Sequence, residues 1–515
     1  MNRPTERLSS LMRHSSIAAC AAASALLTTV PLALTSPAAS AATGGGNEPW
    51  VVRSAVLRAD AKEFAGLCGE QKEGTPETRT FRLFKDGPTI TAERDFLRQD
   101  PDGTVYWDGH DPKSPEDTVS LSIIGLCNGG PITLDGVIEI GFKDYLFTPL
   151  PKQPGKYCLE EIDTLKLPPS GHGDDTVTEP TPSRSGRPKP KAADISNPVA
   201  IDMVVPYTPA ALRELGGLNE VKARIRYGES QLNKALAASH VPASVHVVNS
   251  YETEESGVPD EDAPTMRAKL KDPNDQEIGA TAHAKREEFG ADLVALLASI
   301  PIQNSSGQAD LPLPPSTDTA DEAYSVTSVL SVKEWDNLAH EIGHNFGLQH
   351  DRQTIIGNGG TPQPGATNFG WVTADKLHHT LMAYSSACAP ENCKVVNQYS
   401  NTENTINGQA LGDANNNNAA AARISTPIVS GYRASKVVDR HTLGLSTSPA
   451  NGGTITISEF GPYDPGTQVT VSAHPAAGFQ FDGWTVDGQQ KNVTTDYQLT
   501  INANRNIVAR FSKTL

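Results

Sequence analysis

The sequence predicts a multidomain chain: a β-rich N-terminal region, a central α/β domain with helices on a twisted sheet, and a small all-β module at the C-terminus. Three observations carry this. The chain has 515 residues and 37% hydrophobic content, too long for one domain and enough for at least one large core. Its texture changes twice, at a Pro-rich basic stretch near residue 180 and again after Arg433. Between these points apolar runs alternate with stretches of helical periodicity, the rhythm of a helix-covered sheet.

Arg3, Arg7 and Arg13 precede an Ala/Leu-rich stretch from Ile17 to Leu34, and small residues follow from Ser36 to Ala42. Residues 1–41 therefore read as a secretory signal peptide. Residues 42–167 are strand-like: Thr118–Ile124 alternates, Asn128-Gly129-Gly130 turns, and Gly136–Ile140, Asp144–Phe147 and Tyr157–Leu159 continue as short strands. Residues 168–196 carry Pro, Gly and Arg187-Pro188-Lys189-Pro190-Lys191, and read as an exposed linker.

The central domain is placed at residues 197–433. Ala200–Val205 reads as a strand, Pro209–Leu236 as largely helical, Val241–Val248 as a strand, Ala280–Phe289 as a helix, and Ala291–Leu297 and Ala323–Leu330 as buried strands. An Ala-rich helix over about Asn415–Ile424 closes it. From 440 to 515, turns at Asn451-Gly452-Gly453, Pro465-Gly466 and Asp487-Gly488 punctuate short strands around Phe479, Phe481 and Trp484.

The net charge of −17 excludes a general nucleic-acid binder, which needs a basic footprint. Beyond the first forty residues no apolar run of about 18–20 residues spans a membrane. For an exported chain, disulfides persist. Cys388 and Cys393 enclose four residues and are expected to pair. Cys68, Cys127 and Cys158 leave one thiol over.

One segment holds the chemistry: Asn337-Leu338-Ala339-His340-Glu341-Ile342-Gly343-His344-Asn345-Phe346-Gly347-Leu348-Gln349-His350-Asp351. His340 and His344 stand four apart, so a helix directs both imidazoles from one face. Gly347 can end that helix with a positive φ and return the chain, bringing His350 to the same metal. Three imidazoles leave zinc a position for water, and Glu341, beside His340, can take that water's proton.

This long motif resembles the signature of the metzincin zinc metallopeptidases, which also need a downstream Met-turn. Thr380-Leu381-Met382-Ala383-Tyr384 supplies one, with Met382 as an apolar floor under the imidazoles. Asp351, Val204–Thr208, Gly290–Val294 and Tyr399-Ser400-Asn401 are similar to the reprolysin/adamalysin branch. The resemblance implies a metzincin catalytic domain, one catalytic zinc on His340, His344 and His350, Glu341 as the base, and a protein or peptide substrate. Calcium is compatible with this branch, although no dense Asp/Asn loop is visible. The branch's cysteine before the zinc helix is missing from Trp335-Asp336-Asn337-Leu338. Tyr384 stands where some relatives place an oxyanion-stabilising tyrosine; a packed side chain is the other reading.

The resemblance makes residues 42–167 a prodomain. Either a thiolate from Cys68, Cys127 or Cys158 closes the zinc position, or the three form one disulfide and a buried thiol. The strand around Tyr324–Leu330 is the expected sheet edge for an extended peptide. The C-terminal module resembles the divergent internalin-type bacterial repeat through Tyr463–Ala473, Gly478–Trp484 and Ile507–Phe511, which implies contact with a cell-surface or extracellular polymer. The alternative to a secreted zinc endopeptidase made as a zymogen is a surface-binding protein with an inactive metal domain. An intact Glu341 and only three histidine ligands separate the two.

Overall fold

Alternating side chains in the N-terminal region form an eight-stranded sheet in the computed structural model. The structure describes residues 49–167, 199–437 and 441–514, leaving out 65, 69–77, 100–103, 129–131, 151–152, 154, 256–259, 301–305, 390–391, 442, 450–451, 458–462, 464–465, 477, 492–493 and 504. The expected signal peptide, residues 1–41, and the whole of the expected linker, residues 168–196, lie outside the described residues.

The strands are β1 (Val51–Arg58), β2 (Thr78–Arg82), β3 (Thr89–Gln99), β4 (Val105–Asp111), β5 (Ser114–Ile124), β6 (Thr133–Ile140), β7 (Lys143–Pro149) and β8 (Lys156–Asp163). Their order is β1-β8-β7-β6-β5-β4-β3-β2, a meander in which each strand from β2 to β7 lies beside its successor and β1 closes onto β8. Registered pairing sets Trp107, Leu121, Gly136, Phe147, Leu159 and Ala55 in one row across six strands. A shared row means a shared face, and the side chains of this row are buried.

Cys68 and Cys127 are joined, their Cα atoms 5.5 Å apart, within ordinary bridging range. Cys158 is also disulfide-bonded, and no described cysteine is a free thiol. Of the two readings, a thiolate closing the zinc position or one disulfide with a buried thiol, the disulfide of the second forms between Cys68 and Cys127, and no described cysteine is left as the thiol of either. The Cys388–Cys393 pair forms as expected.

In the central region, β9 (Val199–Tyr207), β10 (Ala243–Glu252), β11 (Leu293–Ala298), β12 (Gly307–Ala309) and β13 (Tyr324–Ser328) make a sheet of order β10-β9-β11-β13-β12. β10, β9, β11 and β13 are parallel; β12 runs antiparallel to β13. The run Leu293–Ala298 is buried at every position, as parallel strands covered on both faces require. The sheet edge near the zinc motif is thus β12, not the Tyr324–Leu330 strand. Gly307-Gln308-Ala309 is short, has no β-branched residue and does not alternate apolar with polar, so periodicity gives no sign of it.

Helices α1 (Pro209–Leu215) and α2 (Leu218–Ala238) replace the single expected helix. Thr208 caps α1 by accepting the Ala211 N–H at 3.0 Å, and Gly216, at φ 99°, ends it. Helix α3 (Ala263–Lys271) was not anticipated; Asp262 caps it, and buried Met266 and Leu270 are too sparse to make a pattern. Then come α4 (Gly279–Phe289), α5 (Ser331–Glu334), α6 (Asn337–Asn345), α7 (Arg352–Gly357) and α8 (Asn418–Val429). Short pairs β14 (His378–Thr380) with β15 (Lys394–Val396), and β16 (Thr405–Ile406) with β17 (Gln409–Ala410), lie between α7 and α8. No helix among the described residues is long and apolar enough to cross a membrane.

After α8 the chain is fastened to the central sheet. The Arg433 N–H donates to Asp292 Oδ1 at 3.1 Å, the Arg433 guanidinium to Glu287 at 2.6 Å, the Ser435 hydroxyl to Asp202, and the Lys436 N–H to Phe289 O at 3.1 Å. Beyond lie β18 (Leu443–Ser448), β19 (Gly453–Ile457), β20 (Thr467–Pro475), β21 (Phe479–Val486), β22 (Gln489–Lys491), β23 (Asp496–Ile501) and β24 (Arg505–Lys513). They form sheets of order β18-β24-β21-β22 and β19-β20-β23. Trp484 is fully buried, meets Phe481 edge-on at 5.4 Å, and donates from its indole N–H to Thr494 O at 3.1 Å. Val469, Val471, Ile501, Ile507 and Phe511 complete that core.

These contacts fix where a truncation belongs. A stop after Val437 keeps the Arg433–Lys436 fastening and removes the Trp484 core whole. The truncated chain should stay folded, bind one equivalent of zinc and cleave a short peptide at near the full-length rate, as read by metal analysis and a fluorogenic assay. Loss of turnover in a folded, zinc-loaded truncate would place the module in the active site.

Candidate metal centre

Helix α6 is buried over its whole length, although five of its nine residues (Asn337, His340, Glu341, His344 and Asn345) are polar or ionisable. It ends at Phe346, and Gly347 follows at φ 80°. Leu348 N–H then donates to Gly343 O at 3.0 Å and Gly347 N–H to His344 O at 2.8 Å, the paired bonds of a Schellman turn. A Cβ on Gly347 would also lie 2.6 Å from Pro315 Cδ. The reversed chain is held straight by Gln349, whose N–H donates to Asn368 O at 2.8 Å and whose carbonyl accepts from Gly370 at 3.1 Å. His350 thus returns to the helix it left.

The three imidazoles converge. His344 Nε2 lies 2.9 Å and His340 Nε2 3.1 Å from His350 Nε2, and one ligand atom from each ring falls within 4.8 Å of the others. His340 Nδ1 donates to Leu381 O at 2.6 Å and His344 Nδ1 to Leu348 O at 2.8 Å, which leaves each Nε2 as a lone-pair donor. Burial holds the rings neutral: it pushes His340 down to about 4, His344 to about 3, and His350 well below its ordinary value. Three neutral, convergent nitrogens, two of them oriented by backbone carbonyls, fit a zinc ion. Among the described residues no other cluster of three or more His, Cys, Asp or Glu ligands occurs, so the structure offers calcium no such site.

Glu341 follows His340 and is fully buried. A Cβ on Gly307 of β12 would collide with its carboxylate, so the edge strand passes directly against the expected base. Asn337 and Asn345, at the two ends of α6, donate to Ser306 O at 2.8 Å and Asp310 O at 2.9 Å, on either side of β12. None of these three contacts was anticipated; each joins residues distant in sequence.

Met382 is fully buried beneath α6, where a Cβ on Gly343 would stand 2.5 Å from its sulfur and 3.1 Å from the Tyr399 ring. Tyr399 donates its hydroxyl to Ala339 O at 2.8 Å. Tyr384 stacks on His340, with centroids 5.7 Å apart, and lies tilted against His350 at 4.5 Å, and its buried hydroxyl has no hydrogen-bond partner among the described residues. Asp351 holds no position in the triad. It accepts the Thr354 N–H at 2.9 Å, the Thr354 hydroxyl at 2.6 Å and the Tyr384 N–H at 3.2 Å. It caps α7 and ties the third histidine to the Met-turn.

Three imidazoles on an H-E-x-x-H helix and its returning strand, over a buried methionine, form a candidate catalytic metal centre. Residues 198–417 match the model of metallo-peptidase family M12B, reprolysin-like, and residues 443–515 match the divergent InlB B-repeat domain. The peptidyl-Asp metalloendopeptidase of Pseudomonas aeruginosa is 30% identical over 165 residues, covering 30% of this chain and 26% of that protein. The chain therefore spans about a quarter of the length of that curated relative. Among solved structures, a chaperone–substrate complex is similar at 19% identity and TM-score 0.35, over 46% of this chain and 35% of that one. Metalloproteinase-II from Bacteroides fragilis is similar at 13% identity and TM-score 0.32, over 54% and 84%. Likenesses this distant carry no weight for the chemistry of the site.

The fit of Met382 under Gly343 is open to test. Ala at 343 improves helix propensity by about 1 kcal/mol, but overpacking a filled site costs about 1–3 kcal/mol. The clash should win: Gly343→Ala should lower Tm and lose zinc more readily to a competing chelator. A raised Tm with unchanged zinc retention would show that Met382 yields freely.

Proposed function

We propose that the chain is a secreted zinc-dependent endopeptidase made as a zymogen. The observation that carries this reading is the buried carboxylate of Glu341, next in the chain to His340 of the convergent triad and set against the edge strand. Zinc bound by Nε2 of His340, His344 and His350 would acidify water and polarise the scissile carbonyl. Glu341 accepts the proton of the attacking water and later passes it to the leaving amine nitrogen. The Tyr384 hydroxyl, buried and without a partner among the described residues, donates to the developing oxyanion in this reading. Met382 holds the imidazoles from below and touches no substrate. An extended substrate lies along β12, adding a strand to the sheet.

Residues 1–41 direct export, residues 42–167 act as the prodomain, and the repeat module holds the enzyme on a surface or extracellular polymer, raising its local concentration there. Cys68 and Cys127 are joined to each other, so latency does not rest on a thiolate from either.

Glu341→Gln keeps size and helix propensity but removes the proton acceptor. Peptide hydrolysis should fall by about 10²–10⁴-fold while zinc stays near one equivalent. His340→Ala, His344→Ala and His350→Ala should lose zinc as well, measured by metal analysis after dialysis. Wild-type turnover in Glu341→Gln would remove the base from the mechanism.

Activation gives a second test. N-terminal sequencing of the active secreted protein should place its start between about Pro168 and Pro198, where exposure and basic residues invite cleavage. Fully active protein that still begins near Ala42 would rule out an inhibitory prodomain.

A further inference from the structure

Helix α3 does more than cover the sheet. Arg267 and Lys271 stand one turn apart on a shared face. Arg267 Nε donates to Gln308 Oε1 at 2.8 Å, and its Nη1 pairs with Asp310 Oδ1. Lys271 Nζ donates to the same Asp310 Oδ1 at 2.8 Å. Gln308 and Asp310 are 2% and 1% exposed, so this polar clasp is built into the interior.

Alternation along β12 explains the division of labour. Gln308 and Asp310 point to α3, whereas Gly307 points to Glu341 on α6. Asp310 joins both sides, its carboxylate bound by α3 and its carbonyl by Asn345 of α6. The strand is short: it pairs with β13 over Gly307, Gln308 and Ala309, with one backbone bond beyond each end, Ser328 N–H to Ser306 O at 2.8 Å and Asp310 N–H to Tyr324 O at 3.0 Å. Strands usually run about 5–6 residues, so one this short gains from side-chain anchors that hold it in depth. An Arg fork spanning two alternate residues supplies such an anchor, and an ammonium point charge cannot copy it.

We propose that Arg267 and Lys271 are positioning residues for extended substrates: their clasp on Gln308 and Asp310 fixes the edge strand against Glu341. The inference rests on the peptidase reading. A peptide lying along β12 bonds to a backbone that must be held still. A peptide confined to the residues beside the scissile bond draws little from it.

The experiment compares two fluorogenic peptides sharing one scissile bond, with one or four residues on each side, and reports kcat and KM for both. In the wild-type chain the longer peptide should show the higher kcat/KM. In Arg267→Met that advantage should shrink about tenfold, through KM, and Arg267→Lys should restore part of it. Because Arg267→Met can also unsettle the fold, Lys271→Met serves as the second variant, with the advantage shrinking about threefold. An unchanged long-to-short ratio in a folded variant would overturn the inference, as would a wild-type chain indifferent to length. Wild-type protein that is zinc-loaded, processed and cleaves neither peptide would instead overturn the peptidase reading, and this inference with it.

Discussion

A metal-binding imidazole must present a bare nitrogen, and the surroundings of α6 are arranged around that requirement. His340 and His344 meet it by giving their Nδ1 protons to Leu381 O and Leu348 O. Neither acceptor belongs to the helix. Leu381 lies in the Met-turn, and Leu348 comes after the Gly347 reversal. The orientation of two ligands therefore depends on two neighbouring segments being in place. Burial completes the arrangement by disfavouring the charged imidazolium, so the cluster is a set of neutral donors.

A helix buried all round is ordinarily apolar all round. Helix α6 is not, and its polar residues each have a job in space. Asn337 and Asn345 bind the chain on either side of β12, and the Ala339 carbonyl accepts from Tyr399. Gly343 is small because Met382 and Tyr399 fill the volume a side chain would take. Polar groups taken out of water cost free energy unless paired, and such pairings fix one orientation of the helix.

The sequence disclosed what is local. His340, Glu341, His344, Gly347 and His350 lie within eleven residues, and helix geometry alone brings the first two histidines together. Met382 was legible through a family resemblance, while its partner Gly343 was not, because the contact joins segments about forty residues apart. The Tyr324–Ser328 strand was placed well along the chain but wrongly in the sheet, since strand order is not written in periodicity. β12 and α3 escaped for a related reason: β12 is three residues long, and α3 buries few apolar side chains. The Gly216-Gly217 break between α1 and α2 was there to be read, and the helical spacing on both sides masked it.

Asp351 shows how a residue next to a ligand can matter without ligating. Burial favours its neutral form, yet the Thr354 N–H, the Thr354 hydroxyl and the Tyr384 N–H all point donors at the carboxylate. Three donors suit an anion and suit a protonated acid poorly, because the acid must turn one donor of its own toward them. The carboxylate thus draws the start of α7 and the residue after the Met-turn toward one point. His350 is bonded to Asp351 through the chain, and the Tyr384 ring packs tilted against His350. The third ligand and the tyrosine proposed for the oxyanion are held in one unit, so a change at Asp351 would move both together. A metal ligand at position 351 would lose that coupling, since the carboxylate cannot face the zinc site and cap α7 at once.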